Sequence, residues 1–229
     1  MHEELRQAVY EANKQLEVHR LVIYSWGNVS GIDRQTGIVV IKPSGVSYAA
    51  LTPQNMVLVD LDGRIVEGDL KPSSDTATHL ELYRAFETIG GVCHTHSPKA
   101  TMWAQACRPI PCFGTTHADY YYGPVPVTEA MTEAEIKDDY ERNTGKVIVR
   151  RFSSLDPRQV PAVLVANHGP FTWGPNAAAA VESAVVLEQV ADMALGTLLV
   201  HARQDAVSQV LLDKHYLRKH GENAYYGQR

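Results

Sequence analysis

Two histidines, His94 and His96, alternate at the end of the apolar run Gly91-Val92-Cys93. Such a run reads as a buried strand, and alternation along a strand sends both imidazoles to one face. A second apolar run, residues 160–166, leads into Asn167-His168-Gly169 and delivers a third histidine at a strand terminus. Three imidazoles converging on one point form a catalytic zinc pattern, with one coordination position left open. His-x-His pairs also occur as packing residues, so spacing alone leaves the metal reading and the structural reading both standing.

Three segments rich in small residues could serve a phosphate: Trp26-Gly27-Asn28-Val29-Ser30, Lys42-Pro43-Ser44-Gly45 and Lys71-Pro72-Ser73-Ser74-Asp75. Glycine lets the backbone approach a ligand closely and hydroxyls donate hydrogen bonds. Ser73-Ser74 also precedes a predicted helix whose first amides favour an anion. Each segment taken singly also fits ordinary turn or cap chemistry. Neither a Walker loop nor a dinucleotide fingerprint is present.

The elements that must position these residues are legible from periodicity. Leu5, Val9, Ala12, Leu16 and His19 recur at helical spacing and predict an opening helix over residues 3–18. Ile38-Val39-Val40-Ile41, then residues 56–60 and 64–67 around Asp62-Gly63, predict antiparallel strands joined by tight turns. Helices are expected after Pro72-Ser73-Ser74-Asp75, after Ser97-Pro98, from near Thr132, and over the alanine-rich stretch 176–195. Hairpins with interspersed helices argue for a largely antiparallel sheet covered by helices rather than a doubly wound nucleotide fold. At 229 residues, 45% of them hydrophobic, the chain suits one compact domain spanning residues 1–229. A net charge of −5 with dispersed basic residues gives no footprint for nucleic acid. No stretch reads as a signal peptide or membrane span, and three cysteines without knuckle spacing fit a reducing cytoplasm.

A resemblance goes further than spacing. The three segments above, together with His94-Thr95-His96-Ser97, Gly114-Thr115-Thr116-His117-Ala118-Asp119-Tyr120, His168-Gly169-Pro170-Phe171 and residues 213–221, resemble the L-ribulose-5-phosphate 4-epimerases of the class II sugar-phosphate aldolase superfamily. The similarity keeps motif order from the first helix to Tyr225-Tyr226-Gly227. It implies a three-layer α/β/α domain and one divalent metal per chain, Zn2+ with Mn2+ or Co2+ as alternatives. The implied ligands are His94, His96 and His168, with Asp75 as a further ligand or near neighbour. Contacts to a pentulose phosphate are implied for Gly27, Asn28, Ser44, Gly45, Ser73 and Ser74. Asp119 and Tyr226 are implied as the acid/base pair, with His215 as a further substrate contact. His79, His117 and His201 receive no role and are expected to be packing or surface residues.

The chemistry implied by the resemblance explains why two such groups are needed. Carbon 4 of a 2-ketopentose phosphate lies β to the carbonyl and has no acidic C–H bond, so simple deprotonation cannot invert it. Retro-aldol cleavage, rotation of the aldehyde and re-addition can, with one acid/base group for each face. Family members form homotetramers with active sites between neighbours, which implies that Asp119, Tyr226 and His215 serve an adjacent subunit. Two rivals remain open: a fuculose-phosphate-type aldolase, in which glutamate replaces Asp75, and a non-catalytic module like the adducin head.

Overall fold

The computed structural model describes residues 2–227. The chain runs through α1 (Glu3–Val18), β1 (Asn28–Asp33), β2 (Ile38–Ile41), β3 (Val57–Val59), β4 (Ile65–Glu67), α2 (Thr76–Ala85), β5 (Gly91–His94) and α3 (Pro98–Gln105). It continues through α4 (Thr115–Ala118), α5 (Glu133–Lys137), α6 (Tyr140–Arg151), β6 (Ala162–Leu164), β7 (Pro170–Gly174), α7 (Ala177–Val200) and α8 (Gln209–His220). The strands make one seven-stranded sheet in the order β4-β3-β2-β1-β5-β7-β6, and every ladder is antiparallel.

Alternation along the strands divides the core between the two faces of this sheet. Val29, Val40, Leu58 and Cys93 face α1 and the first turns of α7, where Val9, Ala12, Leu16, Ala180 and Ala184 pack. Val39, Val57, Val59 and Val92 face the other way, onto a larger cluster with Leu82 and Tyr83 of α2, Trp103 of α3 and Ile148 of α6. The result is the helix-covered antiparallel sheet that the patterning predicts. Asp62-Gly63 turns as expected: Asp60 Oδ1 accepts from the amides of Asp62 and Arg64, and Gly63 takes a positive φ.

Two features set the site end of the sheet. Asn13 of α1 is buried, and its side chain donates to Val29 O and accepts from Val29 N, anchoring the start of β1 to the helix. Gly91 opens β5 where α7 begins, and a Cβ there would lie 2.4 Å from the Asn176 backbone, so only glycine admits this approach.

Local detail departs from the sequence reading in three places. β5 ends at His94, leaving His96 in the following loop. Asp75 stands at the start of α2 but its side chain makes no capping bond. The alanine-rich helix continues five residues past 195, to Val200, and by length and apolarity it could cross a membrane. Its residues Ala180, Leu187, Val190 and Ala194 are nevertheless packed in the two cores, whereas Met193, Leu199 and Val200 are exposed.

His117 of α4 is buried and its Nε2 donates to Gly123 O. Burial pushes it down to about 4 despite that bond. Below about pH 6.5 the unfolded chain therefore binds a proton that the folded chain excludes, and stability falls as pH drops toward 4. The slope from one such group reaches about 1.4 kcal/mol per pH unit. Urea unfolding of His117→Gln is expected to show a shallower acid loss than the parent; equal slopes would remove His117 from this account.

Candidate metal and phosphate site

The register of the sheet builds the first part of the site. His94 is the last residue of β5 and lies opposite Asn28, the first residue of β1, and opposite Phe171 of β7. Residues directly opposite in antiparallel strands share a face, so one row carries Asn28, His94 and Phe171. The Phe171 ring stacks on His94 at 4.1 Å between centroids. His94 Nδ1 donates to Pro170 O at 2.9 Å, which fixes its tautomer and turns the Nε2 lone pair outward.

Nε2 of His94 and Nε2 of His96 are 3.1 Å apart, and the His168 ring lies 4.8 and 5.1 Å from the other two. The nitrogens available as ligands all fall within 4.8 Å of one another. Burial, and then His94 and His96, push His168 down to about 3; burial and His94 also lower His96. Both therefore keep neutral imidazoles with free lone pairs at neutral pH. Three imidazole nitrogens converging on one point suit a divalent cation, so the donor set fits zinc and its neighbours in the transition series. Gly169 permits the convergence, because a Cβ there would stand 2.9 Å from Thr95 O and 3.8 Å from His96 Nδ1.

Beside the histidines a cavity of about 450 Å³ is lined by Trp26, Gly27, Asn28, Ser44, Gly45, Ser73, Ser74 and Asp75. The two Lys-Pro-Ser loops lie side by side because they hydrogen-bond to each other, Ser44 N to Lys71 O and Ser73 N to Lys42 O. Asp75 accepts from Asn28 Nδ2 at 2.6 Å and lies outside the group of three ligand-ready histidines. Burial works to raise its carboxyl, but His94, His79 and the Asn28 bond outweigh it and hold the group below the ordinary carboxylate value. Asn28 Oδ1 is buried without a hydrogen-bond partner, an acceptor left for a bound molecule.

Lys42, Tyr140 and Glu141 also line this cavity and were not picked out from the sequence. Lys42 is fully buried: its Nζ has Ser25 O at 3.2 Å and Pro43 O at 3.4 Å, with the Tyr48 ring 5.1 Å away. Burial pushes it down to about 8. Tyr140 OH stands 3.5 Å from His168 Nδ1, at the limit of a hydrogen bond.

Asp119, His215 and Tyr226 do not line the cavity; they gather where α4 meets α8 and the following tail. Asp119 accepts from Arg218 and His215, with Lys219 3.7 Å away. Burial would raise its carboxyl, but Arg218, His215 and Lys219 hold it below the ordinary value. Of the three unassigned histidines, His79 is fully buried and pairs with Ser30 Oγ at 2.7 Å, His117 is buried as described, and His201 is exposed.

Comparison with known proteins bears on family and fold. The family described as Class II Aldolase and Adducin N-terminal domain matches residues 7–195. The fold is similar to an L-fuculose 1-phosphate aldolase at TM-score 0.75 and 25% identity, covering 92% of this chain and 95% of that one. It is also similar to YgbL from Klebsiella pneumoniae, whose description leaves aldolase, epimerase and decarboxylase open, at TM-score 0.74 and 25% identity over 94% and 99% of the two chains. The L-fuculose-1-phosphate aldolase from Thermus thermophilus shares the fold at TM-score 0.67 and 24% identity, with 89% and 98% covered.

Elemental analysis is expected to find one divalent ion per chain and its loss in His96→Ala; a stoichiometric ion in that variant would contradict the site. Gly169→Ala is expected to weaken metal affinity by about tenfold or more, since overpacking costs roughly 1–3 kcal/mol. Gly196→Ala, where nothing lies within 4 Å of the added methyl, is the control and should leave affinity unchanged.

Proposed function

The chain belongs to the class II aldolase and adducin N-terminal domain family, and from that premise we propose that it is an L-ribulose-5-phosphate 4-epimerase acting as a single class II aldolase/epimerase domain. The observation that carries the reading is the shared cavity in which the three imidazoles and the small-residue loops meet. His94, His96 and His168 would hold a divalent cation, with Asp75 beside them. Bound there, that cation would supply Lewis-acid polarisation of the substrate's oxygens, worth roughly several kcal/mol.

The rest of the chemistry falls to the chain's own residues. Lys42, a buried cation whose Nζ faces the Ser25 and Pro43 carbonyls and the Tyr48 ring, supports an anion at the Ser44, Gly45, Ser73 and Ser74 end of the cavity. Phosphate bound there sets the sugar's direction, so its ketone end extends toward the histidines. Gly27 lets the backbone come close, and Asn28 Oδ1 is an acceptor for a substrate hydroxyl. Asp119 and Tyr226 would exchange the proton of the C4 oxygen on opposite faces of the aldehyde, and His215 would contact the substrate beside them. Because these three stand apart from the cavity of their own chain, the reading includes a homotetramer in which they complete a neighbour's site.

Asp75 supports epimerisation over simple aldol cleavage on the sequence resemblance, which implies the longer glutamate here for a fuculose-phosphate-type aldolase. The likeness to L-fuculose 1-phosphate aldolase at 25% identity supports a second reading in which the two fragments are released. A binding module of the adducin type gives no reason for three converging imidazoles.

Purified protein is expected to interconvert L-ribulose 5-phosphate and D-xylulose 5-phosphate without accumulating glycolaldehyde phosphate. Accumulation of that fragment would favour the aldolase. A charge-assisted hydrogen bond contributes about 1.5–3 kcal/mol, so Lys42→Met and Ser74→Ala should each lower kcat/KM on the phosphate by roughly 10- to 150-fold. Free L-ribulose should be a poor substrate, equally so for parent and variants. Equal efficiency of the parent on both sugars would contradict the phosphate site.

A further inference from the structure

Asp119 and Tyr226 are separated by more than a hundred residues of sequence, yet the last turn of α8 touches both. Arg218, in the last turn of α8, donates from Nε at 3.1 Å and Nη2 at 2.9 Å to Asp119 Oδ1, and from Nη2 at 2.7 Å to Oδ2. Its guanidinium carbon also lies 4.7 Å from the centre of the Tyr226 ring, within cation–π range. The same residue holds the tail by its backbone: the amides of Tyr225 and Tyr226 donate to Arg218 O at 2.9 and 3.1 Å. The chain leaves α8 at Gly221, whose amide closes on Leu217 O, and folds back over the helix end.

We infer that Arg218 is a positioning residue that assembles Asp119 and Tyr226 into one proton-transfer unit on a single subunit. The inference rests on the roles given to those two residues under the proposed function. Arginine suits this task where lysine does not, because its planar fork engages both carboxylate oxygens while its flat face stays available to an aromatic ring. Lys219 stands 4.6 Å from the Tyr226 ring and 3.7 Å from Asp119, but as a single point charge it fixes no direction. His215 Nδ1 at 3.0 Å bonds one Asp119 oxygen, and His220 Nε2 donates to the Asp119 carbonyl at 2.9 Å, so α8 grips the end of α4 along its whole last turn.

Tyr226 is more than half exposed, whereas Asp119 is buried. A tyrosine that exposed needs an anchor if its hydroxyl is to meet a substrate at a fixed distance from Asp119. The guanidinium and the Arg218 carbonyl provide two. Both proton-transfer groups then arrive together at whatever cavity the unit covers, and the distance between them does not depend on subunit packing.

Arg218→Gln, Arg218→Lys and Arg218→Ala test this with two independent readouts. In the first, without substrate, hydrogen exchange over residues 222–226 should quicken by about tenfold or more in Arg218→Gln; unchanged exchange would overturn the anchoring. In the second, kcat for epimerisation should fall by about 100-fold or more, the range of a misplaced acid/base group. KM should stay within about threefold and bound metal should be retained, the pattern of a lost transition-state interaction. Arg218→Lys should remain at least about tenfold below the parent, and added guanidinium ion should raise the rate of Arg218→Ala but not of Tyr226→Phe. A kcat within about threefold of the parent in Arg218→Gln, or full recovery in Arg218→Lys, would overturn the proposal. If Arg218→Gln fails to fold, Arg218→Lys carries both readouts. A parent protein with no epimerase activity would defeat the functional reading, while the exchange comparison would still decide whether Arg218 holds the tail.

Discussion

The hydrogen bond from His94 Nδ1 to the Pro170 carbonyl determines what the centre of this molecule can do. It directs the other nitrogen of His94 toward the cavity, 3.1 Å from Nε2 of His96. The bond exists because β5 and β7 are in register at His94 and Phe171, with Phe171 stacked against the same imidazole. Gly169 then lets the chain that carries His168 pass close to Thr95 O, where a Cβ would stand 2.9 Å away. A shift of one residue between β5 and β7 would turn His94 to the opposite face and dissolve the site, which is why register and chemistry cannot be separated here.

The cavity beside this centre is electrically divided. At one end lie neutral imidazoles and an ionised Asp75, an arrangement that favours a cation. At the other is Lys42, desolvated and pushed down to about 8, among serine hydroxyls and glycine. A molecule carrying a phosphate at one end and adjacent oxygens at the other would satisfy both ends at once. Asp119 and its cationic neighbours stand elsewhere on the chain, so the proton-transfer groups of the proposed reaction and its binding groups belong to different surfaces of the same subunit.

Much of the frame was legible because its signals are local. The opening helix follows from apolar spacing, and Glu3–Val18 is where it lies. The hairpin at Asp62-Gly63 follows from turn chemistry, and the capping box at Thr132 explains the helix expected near it. What escaped was set by neighbours distant in sequence. β5 stops at His94 because β1 begins opposite it, a limit no pattern within the strand reveals. Lys42 looked like a loop residue since its burial depends on Ser25, Pro43 and Tyr48 closing around it. Asp75 suggested a helix cap, but Asn28 claims its carboxylate from across the sheet. Asp119, His215 and Tyr226 were visible only through family resemblance, for separations of about a hundred residues leave no periodic trace. Their joint contact with Arg218 needed coordinates.

The central claim is that a working site takes its histidines from one subunit and its proton-transfer groups from another. The most direct test mixes His96→Ala protein with Tyr226→Phe protein, each inactive alone, and measures epimerisation in mixed tetramers verified by native mass spectrometry. Some interfaces would then pair an intact metal centre with an intact tyrosine, and activity should return in proportion to their number. Mixed tetramers that stay as inactive as either parent would place all the groups in one chain and contradict the account.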